Sequence, residues 1–430
     1  MPLLGRALAL LLSVVLVVGG TIVTIGVRRV RRTYDVPYPP ISRALDPAEV
    51  ARGGRLFRTA CLGCHAGPEG ERPLGARVEG APAFLGEIWA PNLTRGAEGG
   101  IEGWSDGELA RLLRNGIGRD GHYAAAMPRF GRLADPEVAA IIGFLRSPDP
   151  LVAPAAASSS AGARAAGVPR SRLSLVGLLV LAYSAGVDPE GEPRVPAPPR
   201  APTAAYGRYL AAAVYACVDC HTEGYAPTRE KLRAPNLLGG GLDLRNPRSE
   251  PIYSANLTRD PETGLPDLDA PGLARILTTG IGPRGLPLRS PMPVFRFIDL
   301  DDPEHLDVRA LLAFLRSVPP LHRQSPGPVR VPPPADASAD RLFAELGCAG
   351  CHGEGAPGVA DLRRAAKGAT LEAIADEIRH PESRRASSQM PTYAAILDAD
   401  GARRLAAWVQ ASFAGAAGGG PAGQGEARYK

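Results

Sequence analysis

Across 430 residues this sequence holds only four methionines, six cysteines and seven histidines, and aromatic residues make up 5% of it. So few aromatics beside 51 glycines and 44 prolines argue against a sandwich or barrel and for short helices joined by long irregular loops. A net charge of +5 is small for this length, and the one dense basic cluster, RRVRR at 28–32, abuts an apolar run. That placement reads as a flank and excludes a nucleic-acid surface. Methionine is too rare to be a general core filler. Apart from Met1, all three (Met127, Met292 and Met390) stand directly before a proline. That context disfavours helix and marks a turn or extended segment.

The six cysteines fall in three pairs, CLGCH at 61, CVDCH at 217 and CAGCH at 348. No cysteine lies outside a Cys-x-x-Cys-His pentapeptide, which leaves none for structural disulfides. A zinc ribbon or a thiol redox pair needs only Cys-x-x-Cys, and three following histidines from a supply of seven would then be coincidence. The full pentapeptide is the attachment signature of c-type haem: Cys61, Cys64, Cys217, Cys220, Cys348 and Cys351 for covalent bonds to the vinyl groups, His65, His221 and His352 for one face of each iron. Three covalently bound haems c are therefore expected. The second face needs another ligand, and Met127, Met292 and Met390 follow their histidines by 62, 71 and 38 residues, in a loop before the closing helix. His122, five residues before Met127, is the rival, but its counterpart in the second copy is Leu286, whereas Met127 is matched by Met292. His305, His322 and His380 have no repeated position and read as surface or core residues. A thioether opposite imidazole raises the potential and closes the iron to substrate, so no catalytic residue is expected and electron transfer is the implied task. A carbonyl orienting the ligand histidine is expected too, with Pro357 a candidate in the third unit.

The intervals after the motifs repeat. NLTR (92–95), LARLLRNGIG (109–118), Met127-Pro128 and DPEVAAIIGFLRS (135–147) are matched by NLTR (256–259), LARILTTGIG (273–282), Met292-Pro293 and DPEHLDVRALLAFLRS (302–317). Units one and two thus look like a duplication. Ser105 and Glu108 form a capping-box pattern, and Gly116 closes that helix. Asp135 and Asp302, each before Pro-Glu, are expected as N-caps. Apolar stripes at Ile141, Phe144, Leu145, at Leu311, Phe314, Leu315 and at Leu405, Trp408, Val409 read as core. Upstream, GRLF (54–57), GRYL (207–210) and DRLF (340–343) mark a short helix, whose glycine would allow a close crossing with the closing helix. Asp340 breaks the pattern in the third unit.

With these motifs in view, each unit resembles a class I cytochrome c domain, and the whole is similar to the three-haem cytochrome c subunits of bacterial membrane-bound alcohol, aldehyde and gluconate dehydrogenases. The likeness covers roughly residues 47–415. It implies an all-α chain of three tandem haem domains, at 47–150, 201–320 and 336–415. A linker at 151–200 carries a short apolar segment that reads as packed, and a loose tail occupies 416–430. The expected task is to relay single electrons between a respiratory or periplasmic donor and an acceptor. Redox partner proteins would be a dehydrogenase, a quinol-oxidising complex or a terminal oxidase. The alternatives are a dehydrogenase subunit passing electrons to quinone and, less well supported, a haem peroxidase.

Residues 1–33 complete the expectation. The run from Ala7 to Val27 has 21 residues without a charge, enough to cross a bilayer core of roughly 30 Å as a helix. Arg28, Arg29, Arg31 and Arg32 follow it, which taken alone places the bulk of the chain in the cytoplasm. Haem attachment on the outer side of the membrane outweighs that flank. The expectation is one N-terminal transmembrane anchor, at the inner membrane in a single pass, with periplasmic haem domains.

Overall fold

The computed structural model describes residues 2–66, 71–78, 83–96, 99–124, 126–128, 130–155, 168–184, 197–246, 250–298, 302, 304–324, 326, 330–334, 336–352 and 362–414. The expected 416–430 tail and Pro357 lie outside the described residues. The chain is mostly helical. Its strands are short antiparallel ribbons: β1 (Ala76–Arg77) with β3 (Trp89–Ala90), β2 (Gly86–Glu87) with β4 (Arg172–Leu173), and β5 (Asp243–Arg245) with β6 (Pro251–Tyr253), where Leu244 faces Ile252.

The first unit is built from α2 (Pro47–Ala60), α3 (Leu62–His65), α4 (Asp106–Asn115) and α5 (Asp135–Leu145). Asp46 accepts from Ala48 N and Glu49 N, so the Pro47 start of α2 is capped by a side chain. The capping box of α4 is formed as expected, with Ser105 N donating to Glu108 Oε2 at 2.7 Å and Glu108 N to Ser105 Oγ at 3.1 Å; Gly116 closes it in the left-handed region at φ 70°. Phe57, Leu62, Leu109, Leu113, Ile141 and Phe144 make the core, and the rings of Phe57 and Phe144 lie 5.3 Å apart.

The duplicate follows the same plan. It comprises α7 (Ala204–Tyr209), α8 (Cys217–His221), α9 (Thr228–Lys231), α10 (Ala270–Thr279) and α11 (Leu306–Ser317), with α6 (Leu175–Ser184) in the connector before it. The third unit has α12 (Ala339–Glu345), α13 (Ala349–His352), α14 (Leu362–Gly368), α15 (Leu371–Arg379), α16 (Pro381–Arg384) and α17 (Ala399–Phe413). There α17 sets Leu405, Ala406 and Val409 against Leu342, Ile374 and Ile378, and the Phe343 and Trp408 rings stand 4.8 Å apart. The three apolar stripes are core, as their periodicity implies.

Several local expectations are corrected. A Cβ on Gly53 would stand 1.9 Å from the Ala140 carbonyl oxygen, and one on Gly207 1.8 Å from that of Ala310. The close crossings are therefore at Gly53 and Gly207, and aligning GRLF with GRYL puts Gly54 one residue out of register. The first unit carries two adjacent glycines, and Gly53 faces the Ala140 backbone while Gly54 meets the Arg58 and Phe144 side chains; a π-helical turn, Leu210–Val214, lies between Gly207 and Cys217. Asp135 is not the N-cap of α5. Ala134 holds that position, and Asp135 turns to Arg114 at 2.5 Å. In the duplicate, α11 begins only at Leu306, after His305 in the left-handed region at φ 50°.

The expected transmembrane anchor is also corrected. Residues 7–27 lie within α1 (Pro2–Arg31), but among the described residues no helix is long and apolar enough to cross a membrane. The single-pass inner-membrane placement falls with it. An apolar count does not distinguish crossing from docking, and here the C-terminal part of α1 docks on the connector. Gly26 is buried where Leu179 and Tyr183 of α6 approach, Tyr183 Oη donates to the Ile22 carbonyl at 2.8 Å, and the Arg29 guanidinium lies 5.2 Å from the Tyr183 ring centre.

Units one and two share a buried polar seam. Arg52 and Glu137, 2% and 4% exposed, pair at 2.7 Å. Beside them Ala134 N donates to Tyr209 Oη at 2.9 Å, and Tyr206 and Tyr215 donate to the two oxygens of Asp307 at 3.3 and 2.8 Å.

Candidate functional site

Each Cys-x-x-Cys-His pentapeptide coils into a helical turn after the leading helix; in the first two units the histidine comes round to the interior, while His352 is half-buried. His65 and His221 are buried, 6% and 8% exposed. The structure supplies the orienting carbonyls: His65 Nδ1 lies 2.7 Å from the Pro91 oxygen and His221 Nδ1 2.8 Å from the Ala255 oxygen. A carbonyl can only accept, so Nδ1 must carry the proton, and each ring is fixed in the tautomer that leaves Nε2 as its coordinating nitrogen.

Pro91 and Ala255 immediately precede the two Asn-Leu-Thr repeats, and the geometry explains that repeat. Asn92 Oδ1 accepts from Thr94 N and Oγ1 at 2.8 and 2.9 Å; Asn256 Oδ1 accepts from Thr258 N and Oγ1 at 2.9 and 2.7 Å. The asparagine folds the following turn back on itself and so fixes the carbonyl before it. A second tie runs the other way, with Gly75 N donating to the His65 carbonyl at 3.0 Å and Gly240 N to that of His221 at 2.8 Å. Both glycines have positive φ, 90° and 71°. A Cβ on Gly240 would stand 2.5 Å from the Ala255 carbonyl carbon, the backbone that holds the histidine, so only glycine passes there.

Burial pushes the pKa of both imidazoles below the usual histidine value, opposed by the bonds to their carbonyl partners, which favours the neutral form that can ligate. Burial pushes the Cys61, Cys217 and Cys348 thiols up to about 12, and raises Cys64, Cys220 and Cys351 as well.

Each methionine packs against the same core cluster as the leading cysteine of its own unit: Met127 against the cluster that contains Cys61, Met292 beside Cys217 and Met390 beside Cys348, the last two pairs half-buried against their clusters. The loops of the first two are alike, with Met127 N donating to the Ala124 carbonyl and Met292 N to that of Arg289, both at 2.9 Å. His122 points elsewhere. Its side chain is 46% exposed and its Nδ1 lies 3.3 Å from Asp120 Oδ2. His322 and His380 likewise face carboxylates, Asp260 at 3.4 Å and Glu382 at 3.5 Å.

Side chains whose importance the sequence did not announce tie one unit's methionine loop to the next unit. Arg132, five residues after Met127, grips both oxygens of Asp219 inside CVDCH at 3.0 and 2.6 Å. Phe297, five residues after Met292, packs back against the first unit's core. In units one and two, a histidine whose Nδ1 is tied to a carbonyl, a thiol pair on the same turn and a thioether against the same cluster are a donor set that fits a covalently attached haem.

Comparison with known proteins agrees. The family of cytochrome c oxidase, cbb3-type, subunit III matches residues 48–145 and 334–409. The chain is 27% identical over 229 residues to the cytochrome c subunit of alcohol dehydrogenase (quinone) of Gluconacetobacter polyoxogenes, covering 51% of this chain and 45% of that one. It is 27% identical over 293 residues to the fructose dehydrogenase cytochrome subunit of Gluconobacter japonicus (66% and 55%), and 27% identical over 225 residues to the gluconate 2-dehydrogenase cytochrome c subunit of Pantoea cypripedii (51% and 48%). The chain spans about half the length of these relatives. A cytochrome c domain implies covalently bound haem c.

Proposed function

We propose that this chain, two segments of which match a cytochrome c family, is the electron-carrying subunit of a dehydrogenase complex and holds three haems c. The observation that carries the reading is the pairing of each pentapeptide with a methionine in one core cluster. Cys61 and Cys64, Cys217 and Cys220, and Cys348 and Cys351 are the covalent attachments, and His65 with Met127, His221 with Met292 and His352 with Met390 are the axial ligand pairs. When bound, each haem supplies a one-electron couple. The chain's own residues hold the imidazoles in one tautomer through Pro91 and Ala255, keep the thioethers in apolar surroundings, and fix neighbouring units through Arg132 and Asp219.

The donor in this reading is a catalytic dehydrogenase partner, and the relatives named as dehydrogenase cytochrome subunits support it. For the acceptor, the printed name alcohol dehydrogenase (quinone) favours a quinone. A peroxidase-like haem would need an open iron, which three methionine loops argue against. Haem quantification with carbon monoxide titration of the reduced holoprotein tests the proposal. Three haems per chain and no carbon monoxide adduct are expected; fewer haems refute the count, and binding at any haem refutes the ligand set. Co-purification of a dehydrogenase with the tagged chain tests the partner.

A further inference from the structure

The two duplicated units differ at one pair of positions, and the difference reaches into the third unit. In unit one Arg114, in the last turn of α4, donates to the Gly131 carbonyl at 3.0 Å, to that of Leu133, and to Asp135 at 2.5 Å. An arginine of the same unit thus holds the chain leaving Met127. Counting from the methionines and the Gly-Ile-Gly turns, Gly131 corresponds to Arg296 and Arg114 to Thr278. The guanidinium has moved from helix to loop, and with it the direction in which it reaches.

Arg296 keeps one bond at home, from Nη1 to the Thr278 carbonyl at 3.2 Å. Its remaining hydrogen bonds go to unit three. Nε donates to the Ser388 carbonyl at 2.6 Å, Nη2 to the Met390 carbonyl, and Nη1 to Thr392 Oγ1 at 2.8 Å and Glu382 Oε2 at 3.4 Å. The side chain is 7% exposed. Around it the two loops are joined directly, with Val294 N donating to Gln389 Oε1 at 2.9 Å and Thr392 N to the Thr279 carbonyl at 2.7 Å. In unit three the methionine follows its histidine by only 38 positions, against 62 and 71 in the others, so it has least chain of its own with which to hold that loop.

We infer that Arg296 is a positioning residue for Met390: the second unit, through a guanidinium that brackets Gln389 and Met390 by the carbonyls at 388 and 390, fixes the axial ligand of the third. This rests on reading Met390 as a ligand of that unit's iron. The geometry asks for arginine in particular, because a planar fork with fixed donors reaches several carbonyls at once, whereas an ammonium on a flexible stem satisfies one.

The test uses the full-length holoprotein and the near-infrared absorbance of thioether-ligated ferric haem, alongside carbon monoxide stoichiometry after reduction. Arg296→Leu is expected to keep three haems, to lose about one third of that band, the share of one haem in three, and to bind one carbon monoxide per chain. Met390→Ala must give the same signature. If Met390→Ala leaves the band intact, the ligand reading itself fails and this inference falls with it. If Met390→Ala removes a third of the band but Arg296→Leu does not, Met390 is a ligand and Arg296 does not position it. Should the leucine variant not accumulate, Arg296→Lys decides. Retained cation with a weakened band supports positioning by the fork, and an unchanged band overturns it.

Discussion

Replacing Asn256 by alanine removes four hydrogen bonds from a site that is 3% exposed. Two are accepted, from Thr258 N at 2.9 Å and Thr258 Oγ1 at 2.7 Å, and two are donated by Nδ2, to the Leu321 carbonyl at 2.8 Å and Thr263 Oγ1 at 3.1 Å. At about 1 kcal/mol net for each bond, with more for a buried partner left unsatisfied, the loss is about 3–5 kcal/mol. The same substitution at Asn92 is the internal control. Asn92 Oδ1 accepts the equivalent two bonds, but its Nδ2 is buried and has no partner among the described residues. Asn92→Ala therefore costs about 1–2 kcal/mol, and removing the orphaned amide offsets part of that. The difference of about 2 kcal/mol is a factor of roughly 30 in the folding equilibrium. Denaturant unfolding of both holoproteins, with the slope checked for constancy, reads it. Under the proposed ligation the Asn256 variant also weakens the Ala255 carbonyl's hold on His221, which makes the imidazole a poorer donor and raises that haem's potential. Equal losses at the two positions, or the larger loss at Asn92, would refute the account of what the Asn-Leu-Thr turn does.

Met127→His is expected to retain its haem but lower that haem's potential, because imidazole stabilises ferric iron better than a thioether; a redox titration in which no potential moves would remove Met127 from the ligand set. Gly53→Ala and Gly207→Ala force a methyl against backbone oxygens, at about 1–3 kcal/mol or more, whereas Gly54→Ala meets mainly side-chain atoms of Arg58 and Phe144 and costs less. Midpoints in urea should rank the three in that order, and a cheaper Gly53 variant contradicts the crossing. Glu137→Gln leaves the Arg52 charge buried without its counter-ion and should cost about 3–5 kcal/mol in the same assay. Arg132→Ala leaves Asp219 with Thr228 but without its cation, and should loosen the first two units from each other, seen as faster amide exchange around CVDCH than in the parent.

Where the sequence was legible, local chemistry was sufficient. The capping box at Ser105 and Glu108, the glycine stop at Gly116 and the three core stripes all follow from rules that act within one helix. Expectations failed where a neighbour decided. Asp135 has the right residue type for an N-cap, but Arg114 claims its carboxylate. Residues 7–27 are an uncharged run of 21 residues, yet among the described residues no helix is long and apolar enough to cross a membrane, and Gly26 opens that helix to Leu179 and Tyr183. Gly53 rather than Gly54 makes the crossing because the Ala140 backbone packs on it, a contact between two helices that a motif match does not show.

The sequence by itself supplied the residues on which the proposed haem chemistry rests: three thiol pairs each followed by imidazole, and three thioethers that stand directly before proline. Those are properties of residue type and short spacing, and no folding is needed to read them. Only the tertiary structure decided which carbonyls hold the histidines, and that Arg296 serves a unit other than its own. A hydrogen bond across 92 to 96 positions, such as those from Arg296 to Ser388 and Thr392, leaves no periodicity behind it. It exists only once packing has brought the two methionine loops together.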